Sequence, residues 1–116
     1  MIEIQIRRLS KISTGLAVET VEMDTLPYKE AIRWTLITAR DRGATATGME
    51  LYLRRGSIEY LLCSDRVVNL MFALTLPTEV FAPGDFRVCG RYMGTAAGDN
   101  LELYAYGVVQ RDFPIE

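Results

Sequence analysis

Tyr28-Lys29-Glu30-Ala31-Ile32-Arg33-Trp34-Thr35-Leu36-Ile37-Thr38-Ala39-Arg40-Asp41-Arg42 is the stretch on which the fold turns. Pro27 before it and Gly43 after it are residues that open and close helices. On a helical wheel, however, Trp34 and Ile37 fall well away from the face carrying Tyr28, Ile32, Leu36 and Ala39. As a strand, Ile32, Trp34 and Leu36 share one face while Ile37 and Ala39 share the other, and the β-branched Ile32, Thr35, Ile37 and Thr38 favour that geometry. The stretch reads as strand, which leaves the chain without a convincing helix.

Outward from it, the dominant hydrophobic period is two. Ile2, Ile4 and Ile6 alternate with Glu3, Gln5 and Arg7, the pattern of a half-buried first strand. Residues 11–15 break it, and 16–26 resume with Val18, Glu19, Val21, Glu22 and Met23. After the small-residue loop 43–48, the segment 49–53 alternates again. Residues 54–57 form a turn around Gly56, where a tight hairpin needs positive φ, and 58–63 return as its partner. Residues 66–76 form a long apolar run that suits a strand covered on both faces or lying at a subunit contact. Ala82-Pro83-Gly84-Asp85 is a turn, 86–92 a strand, 94–100 a polar loop and 101–109 the last strand.

This gives about eight strands, each separated by Gly, Pro or Asp turns. Antiparallel strands of that number form two packed sheets, so the expected fold is an all-β antiparallel β-sandwich or jelly roll, with a closed barrel as the alternative. At 116 residues the chain suits one domain, spanning 1–116, that buries a real core without disulfides. Cys63 and Cys89 sit in apolar strand contexts and read as buried thiols.

Composition subtracts functions. Histidine is absent, which removes Ser-His-Asp and Cys-His nucleophile pairs, His-ligated metals and the usual general base near neutral pH. With 13 Lys+Arg against 15 Asp+Glu the net charge is −2. The basic doublets Arg7, Arg8 and Lys11, Arg40 and Arg42, and Arg54 and Arg55 are diluted by acids, so no nucleic-acid partner is expected. No apolar run approaches the ~20 residues that span a bilayer, so no membrane partner is expected either. The first eight residues lack the basic and apolar regions of a signal peptide, which points to use inside a cell or inside something assembled there.

Chemistry-bearing constellations are weak. Gly43 and Gly48 have the spacing of half a phosphate-binding loop, but Met49 and Glu50 stand where Lys and Ser/Thr are needed, so a flexible surface connection is the expectation. Glu19, Glu22, Asp24, Asp85, Asp99 and Glu102 are the carboxylates available for glycoside-hydrolase chemistry, yet Glu alternating with apolar neighbours on a strand belongs to the solvent face. Asp99 and Asn100 are too few oxygen ligands for calcium, and two cysteines too few for a thiolate metal site. No catalytic, cofactor-binding or metal residue is therefore assigned. The aromatics Trp34, Tyr52, Tyr60, Tyr92, Tyr104 and Tyr106 admit a sugar-stacking platform, but they suit a core or subunit interface better.

The series 34–40, the loop 43–48, the strand Glu50-Leu51-Tyr52-Leu53, the Gly turn, Glu59-Tyr60-Leu61-Leu62, Ala82-Pro83-Gly84-Asp85-Phe86-Arg87-Val88 and Leu101-Glu102-Leu103 together resemble small β-sandwich virion proteins of tailed bacteriophages. The resemblance covers roughly residues 34–109 and rests on strand alternation and turn chemistry. It implies a non-enzymatic capsid decoration or auxiliary (cement) protein, or a neck or tail component. That protein would work as a homo-oligomer, a trimer, in contact with other virion proteins and assembled in the host cytoplasm. Interface candidates are Ile2, Ile4 and Ile6, whose strand 1–12 is suited to exchange with a neighbouring subunit, together with Val68, Leu70, Phe72, Tyr104 and Tyr106.

Overall fold

Nine strands run through the residues described by the computed structural model, which are 2–26, 31–43, 45–66, 73–76 and 78–110. They are β1 (Ile2–Ile12), β2 (Val18–Glu22), β3 (Ala31–Asp41), β4 (Gly48–Arg55), β5 (Ile58–Arg66), β6 (Ala73–Thr75), β7 (Val80–Pro83), β8 (Arg87–Met93) and β9 (Asn100–Gln110). The first sheet has the order β1-β9-β3-β6, with β7 also on β3, and the second has the order β2-β8-β4-β5. Every pairing is antiparallel.

The pairs are nested: β1 with β9, β2 with β8, β3 with β6 and β7, and β4 with β5. The chain is thus doubled back at the β4–β5 hairpin, and the doubled ribbon is rolled into two facing sheets. With β7 as an added strand, this is the strand order of a jelly roll, so the all-β sandwich expectation holds. At the hairpin, Gly56 adopts φ 62°, the positive value the turn chemistry required.

Three expectations need correction. The first concerns the strand count: β7 is a four-residue strand ending at Pro83, in a segment read as a turn, and it pairs Ala31 with Pro83. An edge position tolerates a residue that lacks the N–H. The second concerns 66–76, which is not one strand, because β5 and β6 belong to opposite sheets; Val68, Leu70 and Phe72 lie outside the described residues.

The third concerns β3 itself. Its register against β9 shifts between Trp34 and Leu36, a bulge at Thr35. One extra residue reverses the inward phase. Ile32 and Trp34 before the bulge and Ile37 and Ala39 after it therefore all face the core, and Leu36 is turned outward and half-buried.

Between the sheets lie Trp34, Ile37, Leu51, Leu53, Val88, Tyr92, Leu101 and Leu103. Gly107 makes room for the indole: a Cβ there would lie 2.7 Å from Trp34 Cε3. Tyr92 reaches across the core, its hydroxyl donating to the carbonyl of Glu102.

Candidate functional site

One face of the molecule does not follow the rule of apolar inside and polar outside. On the outer side of the first sheet the registers of β1, β9, β3 and their neighbours set residues in four rows. These are Ile4-Val108-Arg33-Phe81, Ile6-Tyr106-Leu36, Arg8-Tyr104-Thr38-Thr75 and Ser10-Glu102-Arg40-Ala73. The first two rows are apolar and aromatic except for Arg33, which stands between Val108 and Phe81. Ile4 and Ile6 are each 70% exposed, Phe81 is 63% exposed, and Tyr106 is exposed between them.

Ile4 and Ile6 occupy the solvent side of β1, while Gln5, Arg7 and Leu9 take the half-buried side. The alternation was legible, but the half-buried strand is turned with Ile4, Ile6 and Ile12 out. At a sheet edge, long polar stems overhang the rim of the core and cover it. Of the interface candidates, Ile4, Ile6, Tyr104 and Tyr106 are therefore neighbours on one face, with Ile6 directly opposite Tyr106. Ile2 has its backbone in β1, opposite Gln110. Throughout its length β1 pairs with β9 of the same chain.

Leu36, Val108 and Phe81 also belong to this surface and were missed. A signal was present in β9, where Leu103-Tyr104-Ala105-Tyr106 is apolar or aromatic in both phases, as in a strand covered on both faces.

The other two rows end in charge. Glu102 is 2% exposed; Arg42 Nε donates to its Oε1 at 2.8 Å and Arg8 Nη2 lies 3.7 Å from its Oε2. Burial pushes its carboxyl upward, but the hydrogen bonds from Arg42 and Tyr104 outweigh that and hold it below the ordinary carboxylate value. The Arg8 guanidinium also lies 5.3 Å from the centre of the Tyr104 ring.

A second set of carboxylates closes one end of the sandwich, where loops 13–17, 42–47 and 94–99 meet. Glu19 is 2% exposed and receives Lys11 Nζ at 2.9 Å and the Thr14 backbone N–H and hydroxyl, each at 2.8 Å. Those donors, Lys11 foremost, lower its pKa to about 2. Glu19 and Glu102 are thus buried anchors, contrary to the solvent-face expectation, because Lys11 neutralises the first and Arg42 the second.

Buried Asp41 accepts the backbone N–H groups of Gly43 at 3.0 Å, Thr45 at 3.1 Å and Ala46 at 2.8 Å. The loop read as a flexible connection is therefore pinned, its N–H groups wrapped around the chain's own carboxylate. Asp99 Oδ2 accepts both the Thr45 hydroxyl and the Ala96 N–H. Among the described residues no group of three or more His, Cys, Asp or Glu is arranged to hold a metal ion.

The sugar platform loses its central member, since Trp34 is a core residue, and Tyr52 and Tyr92 are buried as well. Neither cysteine forms a disulfide. Cys89 is buried, whereas Cys63 is half-buried, not the fully covered thiol expected. Burial, followed by the Glu22 carboxylate nearby, pushes the Cys89 thiol up to about 12, so it is no nucleophile at neutral pH. Among the described residues no helix is long and apolar enough to cross a membrane.

No family model matches the chain, and no curated protein matches it by sequence. Among solved structures, it is similar to the Drosophila NLP core, described for its insight into pentamer formation and histone binding. The identity is 10% and the TM-score 0.48, with 96% of this chain and 100% of that chain covered.

Proposed function

We propose that this chain is a non-enzymatic assembly subunit that binds other protein subunits through the outer face of its first sheet. The specific form of that role is a capsid decoration protein on a tailed-phage particle. The observation that carries the reading is the apolar surface of Ile4, Ile6, Val108, Tyr106 and Leu36 on neighbouring strands, of the kind that marks a protein contact.

Chemistry on the page favours a binding role over catalysis. Glu19 and Glu102, the two buried glutamates among the described residues, are held ionised by cations and hydrogen bonds, the opposite of the raised pKa a general acid needs. The jelly-roll strand order is one that virion coats and lectins share, which supports the specific form by analogy of fold alone. Burial of Trp34 removes the favoured stacking residue for a sugar.

Co-sedimentation of the chain with the capsids that contain it, comparing wild type with Tyr106→Glu, tests this. The wild type should pellet with particles, and the variant should stay in the supernatant with an unchanged thermal melt. A chain absent from every particle, or a variant that pellets like wild type, would overturn the reading.

A further inference from the structure

The strand registers that gather the apolar rows on the first sheet also sort charge. On the two rows beside them, Arg8-Tyr104-Thr38-Thr75 and Ser10-Glu102-Arg40-Ala73, and at Arg42 just past Arg40, three guanidiniums share the face with one carboxylate. That carboxylate is covered: the Glu102 side chain is 2% exposed, those of Arg8 and Arg42 are 65% and 48% exposed, and Arg40 is exposed. Every charge that a partner would touch on this half of the face is therefore positive, in a chain whose net charge is −2.

The acids that dilute these arginines in the sequence do not stand among them in the fold. Asp41, between Arg40 and Arg42, takes the opposite phase of β3, where it is buried and bonded to the N–H groups of its own loop. Asp99 Oδ2 is turned to Thr45 and Ala96. Lys11, in the other phase of β1, is spent on Glu19, so neither enters the count. Residues 67–72, which lie outside the described residues and lead into Ala73 beside Arg40, contain no Asp or Glu. Stretches 28–30 and 111–116, also outside the described residues, do contain acids, but they adjoin Ala31 and Gln110, at the far ends of β3 and β9. One buried carboxylate balances one guanidinium. Arg42 holds it at 2.8 Å and Arg8 lies at 3.7 Å, whereas Arg40 makes no ion pair with a described residue.

We infer that the surface docked on this face is acidic, with carboxylates of another protein on Arg8 and Arg40 and apolar side chains beside them on Ile6, Tyr106 and Leu36. The inference rests on the assembly reading above and names the chemistry of the partner. Guanidinium pairs a carboxylate through two parallel N–H···O bonds, and the Arg8 group is already held over the Tyr104 ring, 5.3 Å from its centre. A nucleic-acid backbone would meet the same arginines but leave the apolar rows in water. An acidic protein segment serves both halves, which lie about 13 Å apart along the strands from the Ile6 row to the Ser10 row.

Fluorescence anisotropy of the full chain with two labelled peptides tests this. Each peptide has an apolar half of Leu and Phe, and the other half is Glu in one and Lys in the second. The Glu peptide should bind at least tenfold more tightly than the Lys peptide, and added salt should weaken it. Arg40→Glu should lower its affinity at least tenfold, and Arg40→Gln, which adds no carboxylate beside Glu102, at least threefold; a thermal melt checks that both variants fold. Equal binding of the two peptides, or an Arg40→Gln variant that binds like wild type, would overturn the inference. So would a single-stranded DNA that binds more tightly than the Glu peptide, or wild-type self-association that Arg40→Glu abolishes with no peptide bound, which would put a second copy on the face. In co-sedimentation Arg40→Glu should leave the particle as Tyr106→Glu does. Loss with Tyr106→Glu alone keeps the assembly reading and overturns this inference, whereas Glu-peptide binding by a chain absent from every particle supports the acidic preference and overturns the capsid reading.

Discussion

The two sheets present opposite solutions to the same problem, an outer face that the core does not cover. On the second sheet the middle of the outer face is an electrostatic network, with exposed Val18 and Leu61 on its two edge strands. Arg91 donates to Glu50 at 2.8 Å and to Glu59 at 2.7 Å, and its guanidinium lies 4.4 Å from the centre of the Tyr52 ring. Arg54 grips both oxygens of Glu22, at 2.6 and 2.8 Å. On the first sheet the corresponding surface is Ile4, Ile6, Leu36, Tyr106, Val108 and Phe81. A face whose charges are consumed by one another is finished; a face that exposes isoleucine and phenylalanine awaits a neighbour. Strand alternation alone produces either surface, so the difference lies in which residues occupy the outward phase.

Breaking the charged network should have the largest effect on folding. Arg91→Met removes two ion pairs and a cation–π contact and leaves Glu50 and Glu59 without the cation they share. These groups are partly exposed, so the expected loss is about 1–2 kcal/mol in a urea titration. Association through the first sheet should be unchanged. A variant as stable as wild type would show the network to be decorative.

Much of the architecture was legible because period-two alternation is a local property. The hairpin at Gly56, the strand reading of 28–42, of which 31–41 form β3 and 28–30 lie outside the described residues, and the shared face of Tyr104 and Tyr106 all follow from neighbours one or two residues apart. What was illegible depends on contacts between strands, which alternation along one strand does not contain. The bulge at Thr35 is defined only against β9, and without it the core face of β3 is misassigned beyond Trp34. Glu19 and Glu102 look like solvent-facing glutamates until Lys11 and Arg42 are brought onto them. For β1, alternation gave the two faces but not which was inward, since Gln5 and Arg7 cover the core rim with their stems. Because of that ambiguity the apolar face was nameable as a list of residues before it was visible as a surface.

Acid should weaken the charged constellations by a smaller increment. Hydrogen bonding from Arg54 lowers the pKa of Glu22, and Lys11 lowers that of Glu19 to about 2, both from an ordinary 4.5. A carboxylate with a depressed folded pKa contributes stability above its unfolded pKa and loses it as pH falls through the folded value. Thermal stability should therefore decline from about pH 4.5 toward pH 2. Glu22→Gln should be less stable than wild type at pH 7, by less than Arg91→Met, and the two curves should converge as Glu22 protonates. Parallel curves across that range would mean that the Arg54–Glu22 pair contributes nothing to folding.

The smallest effect on the folded monomer should come from the surface proposed as the most important for assembly. Ile6→Thr replaces an exposed β-branched residue with another of the same strand preference, so monomer stability should change by no more than about 0.5 kcal/mol. Its effect should appear instead in the concentration dependence of melting. Association stabilises the folded state by mass action, so the wild-type melting temperature should rise with protein concentration, while that of Ile6→Thr should rise less. If both melt independently of concentration, the isoleucines are ordinary exposed residues and the contrast between the two faces is one of composition alone. A steeper rise for the wild type would mean that the apolar rows act between molecules, as the charged network acts within one.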